Sequence, residues 1–555
     1  MSTPSELTSR PFGPEFTSRP FAPESTSRPF APEFTDGATR LILAAHDHLF
    51  AGLHARLDAA APALVDALTD LLLPHVLRNV PAATIVAFTP NLTALRTRQR
   101  IAPHRPLTAR AHDGTACRFR TCAALDLQPV ELLTATLDDR LAARPQIRLT
   151  LRARDNFTAI GPLRFFLHHP NPALPATLML WLARHCTGVR LEADGHPPAH
   201  LPAAAISLVG LDPTNSLLPW PDTAPPAHRL LLERFTLPER AHFFELHDLH
   251  TAPPAPDLTV TLLFDRPPPL PAALSSSVFR LHCVPAVNLF ETTAEPLRHT
   301  ADTREHLLRA DGVDPRHMEV HAVTRVTGQP LARGGARRYH PLHDLSSEPG
   351  APRFTIRRAA NPDGGTDTWL VPRAAPVDEL LAVDLLCTNR ELPRVLGPGD
   401  LGGDAQPPGA LIRSYTNLTA ISPPIHAPLG DEAQWHLVAH LGLGARVHDL
   451  TALRALLHLL NAPDRLHTPL GRSNARQIDA IRSVDRDLVA RIDRGAAVRT
   501  TRTRLTLDEA AFPGPGHAFL FTALLAPLFA GAAPLLTASE LHTSLHPSAS
   551  EFTWP

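Results

Sequence analysis

The chain has 555 residues, enough for about three or four domains at roughly 100–200 residues each. Its formal net charge is −1, from 53 basic and 54 acidic residues, which argues against the strongly basic surface of nucleic-acid and anionic-membrane binding proteins. The odd number and irregular spacing of the cysteines predict reduced thiols; they are Cys117, Cys122, Cys186, Cys283 and Cys387.

The N-terminus is a repeat. Residues 8–34 hold three copies of a nonapeptide, which reads Thr-Ser-Arg-Pro-Phe-Ala-Pro-Glu-Phe in the third copy. Two prolines in each copy oppose helix and sheet, and the few phenylalanines cannot form a core. We therefore predict a disordered tail over residues 1–35; the alternative is a multivalent arm that docks weakly on a partner. The N-terminus has no secretion signal, so we expect a cytoplasmic protein.

Two helices are predicted over residues 36–80. The first starts at Asp36, a good capping residue, and its apolar positions recur every fourth residue from Leu41 to Leu57. The second starts near Pro62, since proline suits a first helical turn, and ends before Pro74.

Residues 81–380 alternate short β-like runs with Pro, Gly or Asp. The alternation in Gln146–Leu151 has period two, as a half-buried strand should. Further strands are predicted at Thr84–Phe88, Leu163–Leu167, Leu258–Phe264 and Glu319–Val323. A helix is predicted at Pro175–Arg184. We divide this part into a β-rich domain over 81–280 and a β-rich middle domain over 281–380. The predicted fold class is multidomain α+β: N-terminal helices, then β-sandwich-like domains with helical decoration.

A C-terminal α+β domain is predicted over residues 381–555. An apolar strand, Leu380–Leu386, leads into a polar turn, and a helix over Leu450–Leu460 and a strand over Arg499–Leu507 follow. Residues 518–538 are uncharged over about one membrane span. Because Pro527 interrupts this segment, we expect a buried helix, Phe519–Leu525, that breaks before the proline, and no membrane insertion.

The 31 histidines make chance metal-like spacings frequent. His242 and His247 are five residues apart, whereas the zinc protease pattern needs a spacing of four on a helix. We interpret them as solvated histidines at the end of a core strand. Cys117 and Cys122 with His112 form a poor structural zinc set. We also find no nucleophile elbow, phosphate loop or dinucleotide fingerprint, so we predict no enzyme, no metal and no cofactor.

The turn after the C-terminal strand carries the most specific pattern. Residues 387–393 read Cys-Thr-Asn-Arg-Glu-Leu-Pro, which resembles the "CTNR-LP" signature of the TssF (ImpG/VasA) family of type VI secretion baseplate subunits. Residues 279–291 resemble that family's "LHC-PVVNLFE", residues 229–246 its "LL-EYF-FPEKF-FF-L", and residues 217–221 its "LLPYP". Residues 435–441 resemble "WRLISHLSLN". The matches keep their order from about residue 37 to about residue 530.

The resemblance marks a set of family signature residues that are candidates for interfaces. They are Glu233, Phe235, Pro238, His282, Asn288, Phe290, Glu291, Cys387, Thr388, Asn389, Arg390, Leu392, Pro393 and Trp435. Two interpretations of the turn stay open. In one, Asn389 closes the turn and Arg390 pairs with an acidic neighbour inside the fold. In the other, Arg390 reaches a partner subunit, because arginine is enriched among interface anchors.

The resemblance implies a structural protein similar to the wedge proteins of contractile phage tails. Its expected partners are TssG, a second TssF copy, TssK and TssE, with contacts to the spike and the sheath and docking at the inner-membrane complex through other subunits. Two family features are missing: the N-terminal "YY-REL-YLR" helix, and the "SINSF" motif, which residues 531–536 replace. A degenerate or retargeted TssF-like adaptor is therefore the alternative. A carbohydrate-binding β-sandwich is a weaker one, because aromatic residues are scarce, at 5%.

Overall fold

A computed structural model describes residues 78–554 of the chain, with gaps. The gaps are residues 139–144, 158, 213–215, 221–224, 271–273, 333, 343, 345–346, 363, 374–377, 403–408, 430–434, 436–438, 440–441, 444–445, 494–495 and 535–536. The predicted repeat tail and both predicted N-terminal helices lie outside the described residues.

The first half of the described chain is mostly strand. Its strands are β1 (Ala83–Pro90), β2 (Gln99–Ile101), β3 (Pro106–His112), β4 (Thr115–Thr121), β5 (Leu125–Leu127), β6 (Val130–Asp138), β7 (Gln146–Ala153), β8 (Leu163–Leu167), β9 (Cys186–Glu192), β10 (Ala199–Pro202), β11 (Ile206–Ser207), β12 (Phe243–Leu246), β13 (Asp257–Phe264), β14 (Phe279–Leu281) and β15 (Cys283–Val287).

The second half adds thirteen strands. They are β16 (Phe290–Thr293), β17 (Leu297–His299), β18 (His306–Leu307), β19 (Glu319–Pro330), β20 (Arg337–Pro341), β21 (Arg353–Ala360), β22 (Thr366–Arg373), β23 (Glu379–Thr388), β24 (Ile412–Asn417), β25 (Ile481–Asp493), β26 (Ala496–Asp508), β27 (Ala538–His546) and β28 (Glu551–Trp554). The described helices are α1 (Ala173–Arg184), α2 (Pro226–Thr236), α3 (Leu450–Leu460), α4 (Pro469–Asp479) and α5 (Pro515–Gly531).

The α+β fold class is confirmed, and most of the strands and helices predicted within the described residues begin and end within three residues of those observed; the predicted strand Glu319–Val323 extends to Pro330, and the helix predicted at Phe519–Leu525 spans Pro515–Gly531. Strand β7 shows why: Ile147, Leu149 and Leu151 are buried and alternate with more exposed residues, as the period-two pattern requires. The helix α3 has the predicted bounds, and Asp449 caps it by accepting the Ala452 N–H at 2.8 Å.

The first sheet joins segments that are far apart in the sequence. Its order is β24-β1-β15-β4-β3, and Ala87 on β1 pairs with both Cys283 and Thr416. Strand pairing therefore crosses the predicted boundaries at 280 and 380, and the division into separate β-rich domains stays a prediction.

The middle sheet closes on itself. Its order is β16-β23-β19-β20-β21-β22-β18, with β17 also paired to β23. The segment after β18 then returns to the end of β16, since Glu295 N donates to Arg309 O and Asp311 N to Thr293 O, both at 2.9 Å. These bonds flank an isolated bridge between Ala294 and Ala310, which joins the segments after β16 and β18 and closes the sheet into a barrel. Its interior is an apolar cluster that includes Phe354 and Leu370.

Helices cover the remaining sheets. The largest apolar core lies between β6, β7, β9 and β13 and the helices α1, α2 and α5, and it extends to α3 and the last sheet, β25-β26-β27-β28. The helix α5 is buried along nearly its whole length. None of the helices among the described residues has both the length and the apolar character needed to cross a bilayer.

The predicted break before Pro527 is wrong. The helix α5 runs through Pro527 to Gly531. A proline inside a helix costs about 3 kcal/mol, because it removes one backbone hydrogen bond and crowds the preceding turn. Phe519, Phe521 and Phe529 are wholly buried around it, and burial of each such side chain contributes roughly 1.5–3 kcal/mol. Packing therefore outweighs the local preference.

The contact between α1 and α5 needs a glycine. A Cβ on Gly516 would lie 2.6 Å from the Thr177 nitrogen and closer still to the Ala176 carbonyl. We expect Gly516→Ala to lower the free energy of unfolding by about 1–3 kcal/mol, because backbone atoms cannot move aside easily. Gly531→Ala is the matched control in the same helix, since a Cβ there meets nothing within 4 Å. It should leave stability unchanged or raise it by up to about 1 kcal/mol. Urea denaturation followed by circular dichroism measures both; equal effects would contradict the packing argument.

Candidate functional site

The signature turn starts where β23 leaves the barrel. Cys387 is wholly buried on β23 and pairs with Phe290 on β16, so two of the family motifs lie side by side. Thr388 ends the strand, and its hydroxyl accepts the Arg390 N–H at 3.2 Å. A short 3-10 turn, Leu392–Val395, follows. Its first two residues, Leu392 and Pro393, are buried and end the motif against the core.

Two asparagines form the centre of the site. The Asn389 N–H donates to Asn288 Oδ1 at 2.8 Å, and Asn288 Nδ2 donates to Asn389 Oδ1 at 2.9 Å. Arg118 on β4 closes the group, because its N–H donates to Asn389 Oδ1 and its carbonyl accepts from Asn288 Nδ2, both at 2.7 Å. Asn288 and Asn389 are essentially unexposed. We call them the asparagine pair.

The asparagine pair is a structural device. Buried amides are stable only when hydrogen-bonded, and each unpaired group costs about 1–3 kcal/mol. The pair therefore holds together the end of β15, strand β4 and the turn after β23. Amide groups do not titrate, so these two residues offer no acid or base for catalysis.

Arg390 is buried, with 7% of its surface exposed. Its backbone is left-handed, with φ of +54°, which costs a residue with a side chain about 1 kcal/mol or more. A contact of the side chain has to offset that cost. The guanidinium lies against Gly365, where a Cβ would be 2.7 Å from Arg390 Cζ. Arg390 also lines a cavity of about 310 Å³ at one end of the barrel, together with Arg309 and Asp367.

A charged group lies beside the turn. His426 Nδ1 is 2.8 Å from Glu319 Oε2, and His426 Nε2 is 2.8 Å from Glu391 Oε1. We call these three residues the His426 clasp. Hydrogen bonds to Glu319 and Glu391 raise the pKa of His426 to about 9, so the ring is a cation that donates to both carboxylates near neutral pH. Glu391 is the residue after Arg390, so the clasp ties the signature turn to β19.

The clasp continues into the core through Asn79. Its Nδ2 donates to Glu319 Oε1 at 3.0 Å, and its Oδ1 accepts from His321 Nδ1 at 2.8 Å. Burial, reinforced by the charges of nearby arginines, lowers the pKa of His321 well below its usual value, so this ring is neutral. Two histidines of one network thus carry opposite protonation states, which their different neighbours set.

A second cluster contains the other family motifs. Glu233 on α2 is wholly buried and accepts the Leu217 and Leu218 N–H groups at 2.9 and 3.1 Å. Arg240 Nε lies 3.0 Å from the same carboxylate. Phe235 is buried in the largest core, and Pro238 starts the 3-10 turn that carries Arg240. Breaking one side of such a buried pair typically costs about 3–5 kcal/mol, so this group fixes the loop before α2.

His282 and Trp435 lie apart from both groups, and Glu291 joins the signature turn only through the backbone pairing of β16 with β23. His282 is buried with φ of +56°, and burial lowers its pKa. Glu291 is mostly exposed and lies 3.6 Å from Arg120. Trp435 is 71% exposed. The structure therefore brings together nine of the fourteen predicted residues at the signature turn; they are Asn288, Phe290, Glu291, Cys387, Thr388, Asn389, Arg390, Leu392 and Pro393.

The prediction of solvated histidines is wrong for His242. It lies in the 3-10 turn before β12 and is buried, and burial lowers its pKa to about 3. His242 is buried because it directly precedes two core residues, Phe243 and Phe244. In the described part of the chain, no three His, Cys, Asp or Glu side chains are grouped to hold a metal ion.

Sequence reasoning missed several members of the site. Glu319 and His426 are 107 residues apart, so no local spacing could join them. Arg118 contributes backbone atoms only, and these carry no residue signature. Gly365 could have been noticed only as one of several glycines in a turn. The sequence offered one signal of the clasp, because Glu391 directly follows Arg390 of the signature turn.

The same overall fold occurs in two solved structures. A chain of a cryo-electron microscopy structure of the type VI secretion system TssK–TssF–TssG baseplate subcomplex matches with a TM-score of 0.80 and 24% identity, covering 93% of this chain and 98% of that one. A chain of a structure of the type VI secretion baseplate complex matches with a TM-score of 0.60 and 23% identity, covering 94% and 92%.

The sequence comparison identifies the family. The family model of the type VI secretion system TssF proteins matches residues 33–555. The type VI secretion system component TssF1 of Pseudomonas aeruginosa is 25% identical over 533 residues, which is 86% of this chain and 85% of the relative. The chain belongs to the TssF family of the type VI secretion system, and residues 1–32, which hold most of the repeat, precede the matched part.

Loss of the Asn389 amide should destabilise the fold. Asn389→Ala leaves the Arg118 N–H without its acceptor and removes one of the two acceptors of Asn288 Nδ2. We therefore expect the free energy of unfolding to fall by roughly 1–3 kcal/mol. Gln99→Ala is the control, since that amide is exposed and bonds only to Thr97 at 3.3 Å. It should change stability by less than about 0.5 kcal/mol. Chemical denaturation measures both. A loss below 1 kcal/mol for Asn389→Ala would show that water replaces the lost bonds.

The His426 clasp predicts a pH dependence. The folded pKa of His426 is raised to about 9 from 6.5, so its contribution is complete below pH 6.5 and is lost as the pH rises towards 9. At 1.36 kcal/mol per pKa unit the loss is on the order of 3 kcal/mol. The measurement is the difference in unfolding free energy between wild type and His426→Gln at pH 6 and at pH 9.5. The difference should be large at pH 6 and small at pH 9.5; a constant difference would exclude the charged clasp.

Proposed function

We propose that this chain is a structural wedge subunit of a type VI secretion baseplate, with no catalytic step of its own. The observation that carries the proposal is the family match over residues 33–555, together with a fold that covers 98% of a chain from a TssK–TssF–TssG subcomplex. The asparagine pair, the Glu233 group and the His426 clasp support it, because each holds elements rigidly and none presents an open reactive group.

The proposed partners follow from the same relatives. The chain binds TssG and a second copy of itself to form a wedge, and it contacts TssK. TssE, the spike and the sheath are further contacts, through which wedge rearrangement triggers sheath contraction. Obligate interfaces of this kind bury more than roughly 2,000 Å². The protein acts in the cytoplasm and docks at the inner-membrane complex through other baseplate subunits, without a cofactor, nucleic acid or membrane insertion of its own.

The signature residues have two proposed tasks. The asparagine pair, Glu233 and Phe235 keep the fold in shape, as their burial indicates. Trp435 is the candidate for direct contact, because a tryptophan exposed over 71% of its surface is a favoured interface anchor. The predicted helices over residues 36–80 form the bundle side that meets TssG.

Co-expression with the TssG of the same genome tests the proposal. Size-exclusion chromatography with light scattering should give a stable complex with two 60.2 kDa chains per TssG. Deletion of residues 1–32 should leave that complex intact, because the family match starts at residue 33. Leu49→Asp with Leu53→Asp should abolish it, since both leucines lie on the predicted apolar stripe.

The opposite outcome has a definite meaning. If the wild-type chain stays monomeric and TssG elutes alone, the wedge role is wrong and the adaptor without injection activity takes its place. Circular dichroism of each variant separates loss of binding from loss of folding.

A further inference from the structure

Strand β25 is a long edge strand of the last sheet in the described part of the chain. Among the described residues only β26 pairs with it, and it has 13 residues, about 40 Å at roughly 3.3 Å per residue. Natural edge strands are usually short, bulged or covered, because their free backbone groups pair with other chains. The only register shift in β25 lies at its start, between Ile481 and Ser483. The rest of the edge is regular.

The middle of this edge is apolar and exposed. Leu488 is 67% exposed, although its cross-strand partner Thr501 is wholly buried. Directly opposite residues in a sheet face the same side, so the part of the protein that covers Thr501 stops before it reaches Leu488. An exposed leucine on a free edge is the combination that a partner strand would cover.

The sequence of β25 is self-complementary about Leu488. Asp485 and Arg491 are each three residues from it, and Val484 and Ile492 are each four residues from it. If two copies pair antiparallel with residue 488 opposite itself, each aspartate position faces an arginine position and each valine position an isoleucine position. Opposite charges and apolar pairs stabilise antiparallel sheets, whereas like charges destabilise them.

A neighbouring register is penalised. If the pairing is centred between residues 488 and 489, Arg486 is opposite Arg491 of the other strand in both halves of the contact. Two like-charged pairs then replace two opposite-charged pairs, and Leu488 loses its symmetric partner. The pattern thus favours a second copy of this chain, in one register, as the occupant of the edge.

We propose that β25 of one chain pairs edge to edge with β25 of a second copy, antiparallel about Leu488. The two four-stranded sheets then form one continuous eight-stranded sheet across a two-fold axis. This locates the contact between two copies of the chain, and it rests on the proposed function only for the presence of two copies in a wedge.

A cysteine at the two-fold axis tests the contact directly. Directly opposite residues of antiparallel strands have Cα atoms about 4.5–5.5 Å apart, which suits a disulfide. The full-length Leu488→Cys chain should therefore form a disulfide-linked dimer under mild oxidation, on a non-reducing gel. Leu380→Cys is the control, since Leu380 is also an exposed leucine on a strand, at 43%. It should give less than a tenth as much dimer; equal yields would overturn the proposal.

A charge at the same position gives a second test. Leu488→Asp sets two like charges opposite each other, so the dimer should weaken at least ten-fold in sedimentation equilibrium, while Leu380→Asp should not change it. Both side chains are exposed, so both variants should keep the wild-type melting temperature. A folded Leu488→Asp chain that dimerises like wild type would contradict the contact.

The outcome for TssG separates this inference from the proposed function. A complex of two chains per TssG without a Leu488→Cys cross-link leaves the wedge role in place and rejects the β25 contact. A cross-link without TssG binding supports the β25 contact and rejects the wedge role.

Discussion

The reciprocal hydrogen bonds between Asn288 and Asn389 fix the end of β15 against the turn after β23, and the surrounding structure depends on this contact. The two residues are 101 positions apart, and each amide binds the backbone or side chain of the other segment. Since neither amide has access to water, the alternatives to this arrangement leave unpaired polar groups. The hydrogen bonds therefore fix the position of the first sheet relative to the barrel. Arg390 and the His426 clasp lie beside this contact.

Buried glutamates in the fold are paired with donor side chains. Glu233 meets Arg240, Glu319 meets His426, and Glu379 accepts from both Tyr339 and Arg337. Buried pairs of this kind contribute little net stability compared with apolar packing, but they penalise any other geometry strongly. Such groups make the elements that they join move as a unit, because sliding past one another would break the pairs.

Local patterns in the sequence were enough for most elements. The alternation in Gln146–Leu151 and the helix over Leu450–Leu460 are decided by neighbours along the chain, and both were predicted. The helix through Pro527 was not, because its stability comes from phenylalanines packed by distant segments. Nine signature residues were found through resemblance and then met in space. Glu319 and His426 were missed as partners, because a hydrogen bond between positions 107 residues apart leaves no pattern in the sequence.

The pairing of β1 has a consequence for synthesis of the chain. Ala87 needs Cys283 on one side and Thr416 on the other, so this strand is made long before either neighbour. At about 5–20 residues per second the ribosome takes roughly ten to forty seconds to reach the first of them. During that time a buried strand, with Ile85 and Val86 wholly unexposed in the final fold, has no native partner. The nascent protein is thus a natural client for chaperones that shield apolar strands until the sheet can close.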